Sequence, residues 1–502
     1  MDAGHRPRIP RRTFAAAAAL VALAGASACS GEEEHSVVLV SASPTTTVLP
    51  GEDLAATALS LSTALFDSAD IAAVATSETA SALAPLSAAS GIPLLVGTDR
   101  AVTEELSRLG VRTVLTASGG DADAVEALGE DLEVLEVDPA AADGEAPQVA
   151  ADGAPLPVTL FVDPELELPS QALAAAVVAG VGGTVAEIPG GALGRSGDSV
   201  AAVTSAVGDD PAVGVLALGA SFGPSEDFSS ALARTAGTPQ LPGGGTTVFP
   251  GRRMIAAYGS PGVPSLGILG EQGLEESIAR VQALAAEYDG LTDEQIIPAF
   301  EIITTIASEE AGADGDHSRE LPVDLVREWV DAAGEAGVYV VLDLQPGTTD
   351  FLTQAKLYEE LLLAPHVGLA LDPEWRLEPG QKHLEQIGAV SAAEVNEVSM
   401  WLADLTAEHS LPQKVLILHQ FSHSMITERQ DIDASRPELA ITLHADGHGA
   451  PGDKLGTYAT LQQDLPEGIV MAWKNFYDED SPMFTPEQTY EVEPRPWFVS
   501  YQ

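Results

Sequence analysis

Apolar and polar positions alternate between two rhythms along the chain, short continuous apolar runs and longer segments with apolar residues at helical spacing. Runs at 36–40, 71–75, 92–96 and 111–115 predict buried strands, and the Ala-rich segments 78–90 and 103–109 predict helices between them. Glu104 and Glu105 are expected in the first turn of the second helix, where the helix dipole favours acids. A second round follows, with strands at 157–162, 183–188 and 213–218 and a helix at 170–181. Strand–helix alternation with short loops implies parallel, doubly wound α/β sheets over residues 36–250, with a possible division near residue 150.

The same rhythm continues over 251–502, where Trp, Tyr, His, Lys and Phe become common. Strands are expected at 254–258, 296–304, 338–344, 367–371, 415–418, 439–443, 469–473 and 497–501. Helices are expected at 275–288, with Ile278, Val281 and Ala285 on one face, and at 323–336, opened by Pro322 and closed near Gly337. Two more are expected at 351–363, capped by Asp350, and at 392–409. Ser391 and Glu394 predict a capping box for the last, and Val395, Val398, Leu402 and Leu405 line its apolar face. Seven or eight βα units in this length match a TIM-barrel-like domain, with an open doubly wound sheet as the alternative.

The amino terminus changes the picture from a fold to a destination. Arg6, Arg8, Arg11 and Arg12 precede an apolar run at 14–26 that is too short to span a bilayer, which takes about 20 residues. Residues 1–28 therefore read as an export signal. Arg11 and Arg12 fit twin-arginine export, and the general secretory route fits equally. Ala26, Ser27 and Ala28 lead into Cys29, the single cysteine, followed by an acidic tether over 29–35. This resembles the lipobox of bacterial lipoproteins, which prefers Leu where Ala26 stands. The resemblance implies lipidation of Cys29 and a place on the outer face of the cell membrane, with plain secretion as the alternative. One thiol cannot form an internal disulfide, so the cores must hold the fold.

Charge then narrows the partners. The 502 residues include 23 basic and 75 acidic ones. Residues 1–28 hold four Arg and one Asp, so the exported chain has 19 basic and 74 acidic residues, a net of −55. Such a field repels nucleic acid and anionic polymers. The Gly-rich turns 189–191 and 243–245 do not follow a nucleotide-binding spacing, and no cofactor is expected.

In a barrel, sites lie at the carboxyl ends of strands, and those ends are polar. They carry Glu301; Asp343 and Gln345; Asp372, Glu374 and Trp375; His419, Gln420 and Phe421; His444, Asp446 and His448; and Trp473, Lys474 and Asn475. By alternation His444, Asp446 and His448 share a face, as do Asp372 and Glu374 if the chain stays extended past Pro373. Facing carboxylates among aromatic rings resemble the sites of secreted glycoside hydrolases, which need one protonated acid and one carboxylate. The candidate catalytic set is Glu301, Asp343, Asp372 and Glu374, with Glu374 as acid and Asp343 or Glu301 as nucleophile or base. Trp375, His419, Gln420, His444, Asp446, Trp473 and Lys474 are the candidate sugar contacts. A second reading uses His419, His444, His448, Asp446 and Asp343 as metal ligands for hydrolysis. A third is binding of wall glycan without cleavage.

Residues 80–89 (Ala-Ser-Ala-Leu-Ala-Pro-Leu-Ser-Ala-Ala), then Ile92-Pro93-Leu94, the segment 104–115 and Gly119-Gly120 resemble the type 2 cell-wall-binding repeats of Gram-positive surface proteins. About fifty residues carry that resemblance, which implies a wall-associated α/β module. The carboxyl half resembles a domain of actinobacterial surface lipoproteins and lends no catalytic roles. Together these readings predict an envelope carbohydrate as the partner and the membrane as the anchor.

Overall fold

The computed structural model describes residues 35–118, 125–129, 131–138, 149–152, 155–208 and 214–502. Residues 1–34, on which the expected export signal, the expected lipidation at Cys29 and the expected tether fall, lie outside the described residues, as do Gly119 and Gly120. Among the described residues no helix is long and apolar enough to cross a membrane.

The carboxyl half is a closed barrel of eight parallel strands. They are β1 (Arg252–Gly259), β2 (Gln295–Ala307), β3 (Tyr339–Leu344), β4 (Val367–Leu371), β5 (Lys414–Gln420), β6 (Leu439–Ala445), β7 (Val470–Asn475) and β8 (Phe498–Tyr501). Each pairs with the next along the chain, and β8 returns to β1 through Met254↔Phe498. The continuous apolar character of the strands follows from burial on both faces. Ile255, Phe300, Val340, Leu369 and Leu416 face the surrounding helices. Their alternates Met254, Ala256, Ala299, Val341, Ala370, Ile417, Ala472 and Phe498 fill the interior.

The amino-terminal mouth of the barrel is plugged. Leu241 and Val248 from the preceding segment join the interior cluster. Arg252 donates to the carbonyls of Pro242 and Gly244 beneath them. The polar strand ends are thus left to the opposite mouth.

Asp350 caps the helix Phe351–Leu357 through Thr353 N–H at 2.8 Å. The expected helix 351–363 breaks at Tyr358, whose hydroxyl proton is shared between the carbonyls of Thr304 and Leu321, 2.8 and 2.9 Å away, and resumes over Glu359–Leu362. Pro322 stands at the cap of Val323–Glu335 rather than inside its first turn. Ser391 caps Ala392–Glu408, but Glu394 does not close a box. Its carboxylate instead accepts from Phe351 N–H and Arg376, both at 3.0 Å, tying neighbouring elements together.

The amino-terminal region is also α/β. One parallel sheet orders Leu94–Val96, Ile71–Ala75, Thr113–Ala117 and Glu133–Val137. Another orders Thr184–Glu187, Thr159–Val162, Val215–Leu218 and Thr47–Leu49. A third sheet corrects the all-parallel expectation, because His35–Leu39 runs antiparallel to Phe66–Ala69 and parallel to Val149–Asp152. Pairing and packing cross residue 150. Thr47–Leu49 pairs with Val215–Leu218, and helices Ala80–Ser90 and Gln171–Gly180 share one core. They approach so closely that a Cβ on Gly180 would lie 2.9 Å from Ala88 Cα. The helix Arg100–Leu109 starts earlier than expected, capped by Asp99, so Glu104 and Glu105 fall outside its first turn.

Candidate functional site

Strand parity decides which polar residues meet. Continuing the inward positions of each strand toward its carboxyl end brings Tyr258, Glu301, Asp343, Asp372, His419, His444, Lys474 and Ser500 into the mouth. His419 and His444 sit side by side in register on β5 and β6, with ring centroids 4.7 Å apart.

These side chains form two storeys. In the lower one, His419 bridges two carboxylates, with Nε2 2.9 Å from Glu301 Oε1 and Nδ1 3.0 Å from Asp446 Oδ2. Asp343 Oδ1 is 3.9 Å from the same Nε2, and Asp343 Oδ2 accepts from Tyr258 O–H at 2.9 Å. His444 places Nε2 3.1 Å from Ser500 Oγ and Nδ1 3.8 Å from Glu301 Oε1. Glu301, Asp343, His419 and His444 are all fully buried.

The upper storey is a cavity of about 420 Å³ whose lining includes Tyr258, Asp372, Glu374, Trp375, Asp446 and Lys474, with Gln345, Phe421, His448, Thr457 and Phe476 among the others. Lys474 Nζ lies 3.4 Å from the centroid of the Tyr258 ring, within cation–π range. The chain turns into a short helix over Pro373–Trp375 instead of staying extended, because Asp372 Oδ1 accepts from Glu374 N–H at 3.2 Å. Asp372 and Glu374 reach the same cavity despite that turn.

Burial divides the carboxyl groups. Glu374 is pushed up to about 7, first by burial and then by the charge of Asp446, against the pull of Lys474. Burial likewise lifts Asp343 to about 6, against the attraction of His419, and holds Asp372 well above the carboxylate range. Burial would raise Glu301 too, but His419 and His444 outweigh it and hold it below its ordinary value. Asp446 is also held low, its burial outweighed by the hydrogen bond from His419. Burial opposes a charge on His419, yet Glu301, Asp343 and Asp446 together raise it well above an ordinary histidine. Burial takes His444 the other way, down to about 3.

Of the candidate sugar contacts, Trp375, Asp446 and Lys474 line the cavity, whereas His419 and His444 lie beneath it. Trp473 and Gln420 face the other way. The Trp473 ring stacks on Phe484 at 5.3 Å among the outer helices, with Nε1 bonded to Asn475 Oδ1 at 2.7 Å. Gln420 accepts from Arg429 at 3.0 Å and donates to the Ser422 carbonyl at 2.9 Å. Both occupy outward strand positions, which removes them from the site. The proposed ligand set His419, His444, His448, Asp446 and Asp343 is not what converges either. His448 packs edge-on to Phe476, and Glu301 takes its place beside the other two histidines. Tyr258, Phe476 and Ser500 were not anticipated as site residues. Parity along β1 and β8, from Met254 to Tyr258 and from Phe498 to Ser500, was the available signal.

No protein-family model matches the chain, and no curated protein matches it.

Proposed function

We propose that the barrel hydrolyses a glycosidic bond in envelope carbohydrate on the outer face of a membrane to which Cys29 anchors the chain. One observation carries the catalytic part: Glu374 and Asp446 line one cavity and act on each other electrostatically, while only Glu374 is raised into the neutral range. A glycosidase needs such an unequal pair, a proton donor for the leaving oxygen and a carboxylate opposite it. Glu374 is the donor in this reading. Asp446 is the base or nucleophile, steered by His419 on Oδ2 while Oδ1 has no protein partner. Glu301 and Asp343, fully buried and held by His419 and Tyr258, support the site from below. Trp375 offers a ring face to a sugar, and Lys474 a cation to its hydroxyl or acidic substituents. The anchor rests on the amino-terminal sequence, and the net negative charge disfavours attachment to anionic polymers by charge alone.

The test is release of reducing ends from purified cell-wall glycans and from a panel of chromogenic glycosides. Glu374→Gln and Asp446→Asn should each abolish release while retaining glycan in pull-down. Retention without release by the unmodified protein would replace hydrolysis with binding. Neither release nor retention would overturn the reading.

A further inference from the structure

The lower storey has a chemistry of its own. Glu301, His419 and His444 each offer a ligand atom, and these atoms all lie within 4.8 Å of one another. The outward nitrogens of both rings are engaged, His419 Nδ1 with Asp446 and His444 Nε2 with Ser500. His419 Nε2 and His444 Nδ1 are therefore turned toward the same carboxylate. Three buried atoms around this point, Glu301 Oε2, Asp343 Oδ1 and His444 Nδ1, have no hydrogen-bond partner among the described residues. Folded proteins rarely leave buried polar atoms unpaired, and each such atom calls for an explanation. Charge adds to the case. Glu301, Asp343, Asp372 and Asp446 crowd a buried region whose basic side chains are His419, His444 and Lys474, so four carboxyl groups share few cations.

We infer that this pocket is a binding site for one divalent transition-metal ion, with Glu301, His419 Nε2 and His444 Nδ1 as ligands and Asp343 Oδ1 as a further donor. Two imidazoles with carboxylates suit an ion of the zinc class better than calcium or magnesium, which prefer all-oxygen sites. Asp446 and Ser500 then play the part usual behind metal-bound histidines, fixing ring orientation and tautomer. On binding, the ion displaces the proton between His419 Nε2 and Glu301, and that proton passes to solvent. Asp446 and Tyr258 touch this pocket and also wall the cavity above, so an ion could enter from the mouth. The group Asp314, Asp316 and Glu320, of which Asp314 is exposed and Asp316 buried, is the competing place for a cation, but Asp316 is already committed to Ser318 N–H and Thr349 O–H. The inference goes beyond glycoside hydrolysis, since neither Glu374 nor Asp446 is a ligand.

The experiment is equilibrium dialysis of the tag-free, chelator-stripped mature chain against Zn²⁺, with metal counted by mass spectrometry and no substrate present. About one Zn²⁺ per chain is expected, with a rise in Tm. Co²⁺ should give the intense visible bands of a four- or five-coordinate ion, a readout that needs no variant. His444→Gln should weaken binding at least about tenfold. Asp314→Ala with Glu320→Ala should leave it intact. Uptake below about a tenth of an equivalent would overturn the inference. So would binding that survives His444→Gln and disappears with the Asp314 and Glu320 changes. Because binding is read without turnover, its failure and a failure of hydrolysis are separate results.

Discussion

Glu374→Gln should stabilise the protein at alkaline pH while removing its activity. The shift at Glu374 comes from burial and neighbouring charge, without a hydrogen-bond donor to its carboxylate among the described residues, so the amide removes charge and little else. Carrying the group from its ordinary 4.5 to about 7 corresponds to about 3 kcal/mol of destabilisation once it is ionised. Because it lines a solvent-accessible cavity, about 1–2 kcal/mol is the better expectation. The sign follows from linkage. The unfolded chain releases this proton near 4.5 and the folded chain near 7, so the folded state binds more protons between them. The penalty is fully present above about pH 7, shrinks as pH falls through that value, and is gone below about 4.5.

Urea unfolding of both proteins at pH 4.5, 6 and 8 measures this directly. The midpoints should nearly coincide at pH 4.5, and the variant should lead by about 1–2 kcal/mol at pH 8. Hydrolysis should fall by about 10²–10⁴, because a glutamine has no proton to give the leaving oxygen. On the proposed hydrolysis, the unmodified protein should lose rate as pH rises past about 7. A stability difference that stays flat with pH, or reverses, would refute the assignment of Glu374 as the proton-holding group.

Lys474→Met removes a cation that lowers the Glu374 pKa, so the alkaline limb of the pH–rate profile should move to higher pH; a move downward contradicts the electrostatics. Lys454→Met leaves Asp480 buried without the ammonium now 2.6 Å away, and should cost about 3–5 kcal/mol in chemical denaturation. Cys29→Ser should release the protein from membranes and abolish incorporation of labelled palmitate. Unchanged membrane association on fractionation would remove the lipid anchor from the reading.

Much of the architecture was legible because strands buried on both faces leave uninterrupted apolar runs. Met254–Tyr258, the run before Glu301 and the run before Asp343 all became barrel strands for that reason. What stayed hidden depended on long-range pairing. The short segment Thr47–Leu49 has no local feature that sends it across to Val215–Leu218, and Phe66–Ala69 is too short and too polar at Asp67 and Ser68 to announce a strand. Glu394 had the right spacing for a capping box, but Arg376, 18 residues earlier in sequence, competes for its carboxylate with a charge-assisted hydrogen bond. Spacing within one helix could not foresee that partner.

The site shows how far parity alone could have gone. Trp473 and Lys474 are adjacent, as are His419 and Gln420, and a strand must send the members of each pair to opposite faces. Both members of such a pair cannot contact one ligand while a strand runs through them. The choice between faces is also readable. Ala472 precedes Lys474 by two, and Ile417 precedes His419 by two; both fill the barrel interior. The same rule from Phe498 finds Ser500, and from Ala256 finds Tyr258. Parity cannot say how deep each inward residue lies, because depth depends on the stagger between strands. Glu301 and Glu374 are both acids from strand ends, yet one is sealed under His419 and the other faces an open cavity. That difference in depth separates a group suited to holding an ion from a group suited to handing over a proton.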